Sequence, residues 1–132
     1  MIAPIASPSV WRGEELAERN DWLMHFDGQT LAELTGMIAD ARARGEDSRS
    51  LEIDRYQLPH LQALGDRIRQ ALRLGYGFTL LRGIAADLFT VDELKMLFLV
   101  LGNHIGLIGP QESGPRSIGE VMDTGPDMPK DF

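Results

Sequence analysis

Three stretches of this chain repeat apolar residues at spacings of three and four, each opened by a start signal and closed by a glycine. That punctuation constrains the fold more than any other feature, because the spacing lays one apolar stripe along a helix and the glycines fix its length. Asp27 is placed to cap the first of these helices, with Leu31, Leu34, Met37, Ile38 and Ala41 on one face and Gly45 as its stop. Pro59 suits the first turn of the next, whose stripe is Leu61, Leu64, Ile68, Ala71 and Leu72, with Gly75 where a left-handed C-cap belongs. Thr90 and Glu93 form a capping box for the third, residues 91–101, ending at Gly102. Its stripe of Leu94, Leu97, Phe98 and Leu101 reads as core.

The remaining segments are shorter. Residues 14–25 have the composition of a short amphipathic helix, with Leu16, Trp22 and Leu23 on one face. Residues 45–50 read as a polar loop, and the alternation of Leu51, Ile53 and Arg55 with acidic partners predicts extended chain over 51–56. Residues 76–82, bracketed by Gly75, Gly77 and Gly83, read as a buried strand whose Phe78, Leu80 and Leu81 join the core. Residues 104–108 are short and apolar, 116–122 form a second predicted strand, 1–10 a flexible start and 123–132 a loop-like tail. The pattern predicts one α+β domain spanning 1–132.

A chain of 132 residues buries roughly two-thirds of the surface its unfolded form exposes, enough for a real core. Twenty acidic against thirteen basic residues give a net charge of −7, which repels a phosphate backbone or an anionic membrane. The best basic cluster, Arg42, Arg44 and Arg49, is interrupted by Glu46 and Asp47 and reads as a solvated helix end, so no nucleic-acid partner is expected. The absence of cysteine removes disulfides, thiolate metal sites and cysteine nucleophiles, and suits a reducing cytoplasm. Residues 1–10 lack a basic n-region and carry Pro4 and Pro8, and the most hydrophobic run, 96–101, is far too short to cross a bilayer.

Few residues offer chemistry. His25-Phe26-Asp27 spells His-x-Asp, and His60 or His104 could be nominated to complete a metal triad, but Asp27 is better explained as an N-cap. His60, in a helix's first turn, reads as a surface or capping residue. Arg82, at a strand exit, reads as half of an ion pair. Gly75-x-Gly77 precedes a strand rather than a helix, so it is no dinucleotide loop, and no phosphate loop, nucleophile elbow or Glu-x-x-His is present. No catalytic or metal-ligating residue is assigned.

The string Gly75-Tyr76-Gly77-Phe78-Thr79-Leu80-Leu81-Arg82-Gly83, the helix ending Leu101-Gly102-Asn103-His104-Ile105-Gly106, then Gln111 and Gly119-Glu120-Val121-Met122-Asp123, resemble the amino-terminal third of the TauD/TfdA family. Trp11, Trp22 and the long helix before the glycine-flanked strand extend the similarity over most of the chain. Members of that family are Fe(II)- and 2-oxoglutarate-dependent dioxygenases built on a double-stranded β-helix, or jelly roll. The resemblance therefore implies an incomplete jelly roll here, belonging to an enzyme that hydroxylates a small organic substrate. The family's His-x-Asp/Glu pair, second His and 2-oxoglutarate-gripping Arg are all expected beyond Phe132, so this chain is expected to bind neither iron nor 2-oxoglutarate alone. The resemblance also implies a substrate-lining role for His104, Leu107 and Gln111, although this sequence has Ile108-Gly109-Pro110 where many relatives read Pro-Val-Ser. For His104 the plainer reading of the residues themselves is a turn packed against the preceding helix. A partial jelly roll leaves unpaired strand edges and an uncovered apolar face, so self-association or a complementary carboxy-terminal chain is expected. The alternative is a non-catalytic module that docks a partner through those edges.

Overall fold

Three helices pack on one another and carry a small pair of strands at one side. The computed structural model describes residues 2–110, 118–123 and 125. In chain order they form α1 (Gly13–Ala17), β1 (Leu23–His25), α2 (Gly28–Ala43), a 3-10 turn (Ile53–Arg55), α3 (Pro59–Leu74), β2 (Leu80–Arg82), a second 3-10 turn (Ala86–Leu88) and α4 (Val91–Ile105).

The start signals act as the sequence predicts. The Asp27 carboxylate accepts the Thr30 N–H at 2.7 Å, and that bond holds Asp27 below the usual carboxylate range. Thr90 Oγ1 accepts from Glu93 N–H at 3.1 Å while Glu93 Oε2 accepts from Thr90 N–H at 2.8 Å. Pro59 occupies the first turn of α3, but Leu58 before it has no capping side chain. Glu33 of α2 supplies the missing acceptors. Its carboxylate takes the backbone N–H of His60 and of Leu61, both at 2.9 Å, and meets His60 Nδ1 at 2.7 Å. One helix thus caps the next.

The stops differ from expectation at two ends. Gly75 has φ −100° rather than a left-handed conformation; Gly77, at φ +85°, takes that role, and its N–H reaches the Ala71 carbonyl at 3.1 Å. Helix α4 does not stop at Gly102 but runs to Ile105. Its last carbonyls find partners on α3: Arg69 donates to Ile105 O at 2.9 Å and to His104 O at 3.1 Å. A mid-helix glycine costs only about 1 kcal/mol against alanine, less than those satisfied carbonyls return.

Several short segments are corrected. The amphipathic helix expected over 14–25 covers only Gly13–Ala17, because Leu23–His25 pairs in parallel with Leu80–Arg82, in the register Leu23 to Leu80, Met24 to Leu81 and His25 to Arg82. Residues 51–56 are not extended: they turn through Ile53–Arg55 and bury Tyr56, whose hydroxyl donates to Asp40 at 3.0 Å. Strand β2 is shorter than 76–82 and half-open, with Leu81 turned toward the core and Leu80 exposed. His104 and Ile105 belong to α4, and 106–110 are irregular. Of the strand expected over 116–122, Arg116 and Ser117 lie outside the described residues and 118–122 are irregular. Most of the expected tail, 123–132, also lies outside them.

The core is the inward faces of α2, α3 and α4: Leu34, Met37, Ile38, Ala41, Leu61, Leu64, Ile68, Met96, Leu97 and Val100, joined by Met24, Phe26 and Tyr56. Phe98 is not in it. One position past Leu97, it is rotated about 100° from the inward face and is 65% exposed. Leu72 is likewise largely exposed.

Replacing Glu33 with Ala orphans two α3 N–H groups and should cost about 1–2 kcal/mol, read as a lowered urea midpoint. Partial burial works against the Glu33 charge, but the His60 and Leu61 N–H groups outweigh it and hold its pKa below the ordinary 4.5. A depressed native pKa means that the unfolded chain binds the proton more readily, so this contribution is complete above pH 4.5 and fades as pH falls through the native value. The difference between wild type and Glu33→Ala should therefore shrink in acid.

Candidate functional site

Of the three residues expected to line a substrate mouth, two lie among the described residues, and they differ in exposure. His104 is only 3% exposed and both its ring nitrogens are engaged: Nδ1–H donates to Val100 O at 2.7 Å, and Nε2 accepts Leu58 N–H at 3.2 Å. These partners place a ring proton on Nδ1 and tie the entry of α3 to the last turn of α4. The ring is packed, but from within α4 and onto the entry of α3 rather than from a turn against the preceding helix. Leu107 is fully exposed, at 103%, just beyond the end of α4. Gln111 lies outside the described residues.

The histidines and acids nominated as metal ligands do not converge as a set. His25 sits exposed in β1 opposite Arg82, the Asp27 carboxylate is taken by the α2 cap, and His60 is paired with Glu33. Among the described residues no group of three or more His, Asp or Glu side chains could hold a metal ion. The described residues therefore do not fit an iron centre.

What the fold does assemble is an aromatic cluster around Phe78. Trp11 lies 5.3 Å from it, Trp22 6.3 Å and Tyr76 6.4 Å between ring centroids, all tilted, the arrangement that aromatic quadrupoles favour. Each indole N–H has a backbone partner: Trp11 donates to Tyr76 O at 2.9 Å and Trp22 to Leu16 O at 3.1 Å. The Tyr76 hydroxyl donates to Asp21 at 2.8 Å and accepts from Arg19, whose guanidinium carbon stands 5.9 Å from the Tyr76 ring centre. Pro8, Val10, Trp11, Glu15, Leu16, Arg19 and Tyr76 enclose an open cleft of about 280 Å³, near the small end for ligand pockets. Period-based reading missed this cluster, because a contact between residues 11 and 76 leaves no periodic trace; the one available signal was the local richness in aromatics around residues 76–78.

The basic patch dissolves into structure. Arg42 pairs with the buried Glu93 at 2.6 Å and Arg44 with Asp40 at 2.8 Å, while Asp92 takes the N–H and hydroxyl of Ser48. The Arg42 and Ser48 contacts fasten the end of α2 and its loop to the first turn of α4, while the Arg44 pair is local to the end of α2. No helix among the described residues is long and apolar enough to cross a membrane.

No family model matches the chain. It is similar to FR-33289 synthase of Streptomyces rubellomurinus, with 26% identity over 125 residues that cover 92% of this chain and 36% of that protein. The chain thus spans little more than a third of the length of this distant relative, a protein named as an enzyme.

Substituting His104 by Ala leaves Leu58 N–H without its acceptor and opens a void, and should cost about 2–4 kcal/mol in chemical unfolding. Leu107→Ala, at a fully exposed position, should stay within about 0.5 kcal/mol. Equal effects of the two would contradict the structural role of His104.

Proposed function

We propose that this chain is the amino-terminal part of a TauD/TfdA-like Fe(II)- and 2-oxoglutarate-dependent dioxygenase, serving as scaffold beside a reacting centre carried elsewhere. The observation that carries this reading is the similarity of nearly the whole chain to about a third of a synthase, along a sequence whose glycine-flanked 75–83 segment and following helix resemble the start of that family. When bound, iron and 2-oxoglutarate supply oxygen activation in such enzymes, with succinate and carbon dioxide as coproducts. The substrate is a small organic molecule, and the complete fold is a double-stranded β-helix to which the two described strands contribute little.

In this reading the chain's own residues act by position. Helices α2 to α4 form the rigid body, the Phe78 cluster secures the segment before α2 to the approach of β2, and the 106–110 segment leaves α4 with Leu107 facing solvent. None of these groups moves a proton or an electron.

The purified chain, supplied with Fe(II), 2-oxoglutarate and ascorbate, should release no succinate above background. The DNA following its last codon should encode, in frame, a His-x-Asp or His-x-Glu pair and later a His and an Arg. Succinate formed in proportion to the chain and lost on His25→Ala, or a downstream frame without those residues, would contradict the proposal.

A further inference from the structure

Helix α4 carries a second apolar stripe that the described residues cover only in part. At 100° per residue its inward face holds Glu93, Met96, Leu97, Val100 and His104, while Val91, Leu94, Phe98, Leu101 and Ile105 fall within about 80° of arc centred about 120° away. Their spacing is three, four, three, four, a continuous seam roughly 21 Å long. Leu94, Leu101 and Ile105 lean partly on the core, but Val91 is 70% exposed and Phe98 65%. Exposed apolar seams of this kind mark contact surfaces in soluble chains.

We infer that this seam is the face of α4 on which a further, strand-bearing length of the same polypeptide packs, rather than a second copy or a separate protein. Three observations select that occupant. The relative has nearly two-thirds of its length unmatched by this chain, so a polypeptide of this type carries enough additional chain to cover the seam. The segment after α4 already doubles back along the helix: Ile108 side-chain carbons stand 3.7 Å from where a Cβ on Gly102 would lie, and Glu120 pairs with Lys95, both on the seam's flank. Finally, β1 and β2 are a parallel pair of three residues each, and parallel strands are stable as parts of larger, covered sheets. The inference rests on the proposed function for the character of the added chain, but not on its chemistry.

The chain has no cysteine, so Phe98→Cys gives a single reporter thiol, with Arg67→Cys on the outer side of α3 as control. Each is placed in the isolated chain and in a hybrid where this full chain replaces the matched segment of FR-33289 synthase, and reaction with a thiol reagent is timed against the hybrid lacking the added cysteine. In the isolated chain both thiols should react as free ones. In the hybrid the F98C thiol should slow by at least about tenfold while the R67C thiol keeps its rate. An F98C thiol that stays fast in the hybrid, a hybrid that fails to melt cooperatively, or a thiol already shielded in the isolated chain through dimerisation would each overturn the inference. A shielded thiol in a hybrid that releases no succinate would count against the proposed chemistry alone.

Discussion

Helices α3 and α4 meet at Gly65, so closely that a methyl group there would stand 2.3 Å from the His104 carbonyl oxygen. The rest of the structure depends on that approach. The same oxygen accepts from Gln62 and Arg69, and the His104 ring takes the Leu58 N–H, so one residue of α4 is fixed by its backbone and its side chain to three points on α3 and its entry. With that crossing set, Leu61, Leu64 and Ile68 meet Met96, Leu97 and Val100 without gaps, and α2 closes over both. A buried histidine with both nitrogens satisfied stabilises because either alternative, an orphan N–H or an empty cavity, is costly.

The crossing also separates scaffold from chemistry. Several groups that could perform acid, base or ligand work are committed to caps and ties: Asp27 to α2, Glu33 and His60 to α3, Glu93 and Asp92 to the start of α4. The apolar surface remaining, along α4 and beside two short strands, is suited to packing against more chain. The likeness is to about a third of a synthase, and among the described residues no three His, Asp or Glu side chains gather as a metal cluster.

Much of the helical framework was legible because caps and stripes are local. Asp27, Pro59 and the Thr90–Glu93 box each act within one turn, and most core positions of α2 and α3 follow from spacing alone, with Leu72 the exception. The failures share a cause in tertiary contact. Gly102 reads as a stop until Arg69 is seen to hold the final carbonyls of α4. Residues 23–25 read as helix until Leu80–Arg82 offers them a ladder. Phe98 reads as core because the outer stripe of α4 is as apolar as the inner one, and composition does not tell a covered stripe from an open one. Of the candidate site, the capping of Asp27 was legible, the engagement of both His104 nitrogens was not, and the Phe78 cluster depends on pairings more than fifty residues apart.

If the helical crossing carries the stability and the two strands are a dependent addition, native-state hydrogen exchange will separate them directly. Amides of Leu64 to Ile68 in α3 and of Met96 to Val100 in α4 should exchange only through global unfolding, sharing one free energy, while those of Phe26 and Leu80, bonded across the strand pair, should exchange through a cheaper local opening. Strand amides protected as strongly as the helical ones, or α3 and α4 exchanging at separate and lower free energies, would contradict the account.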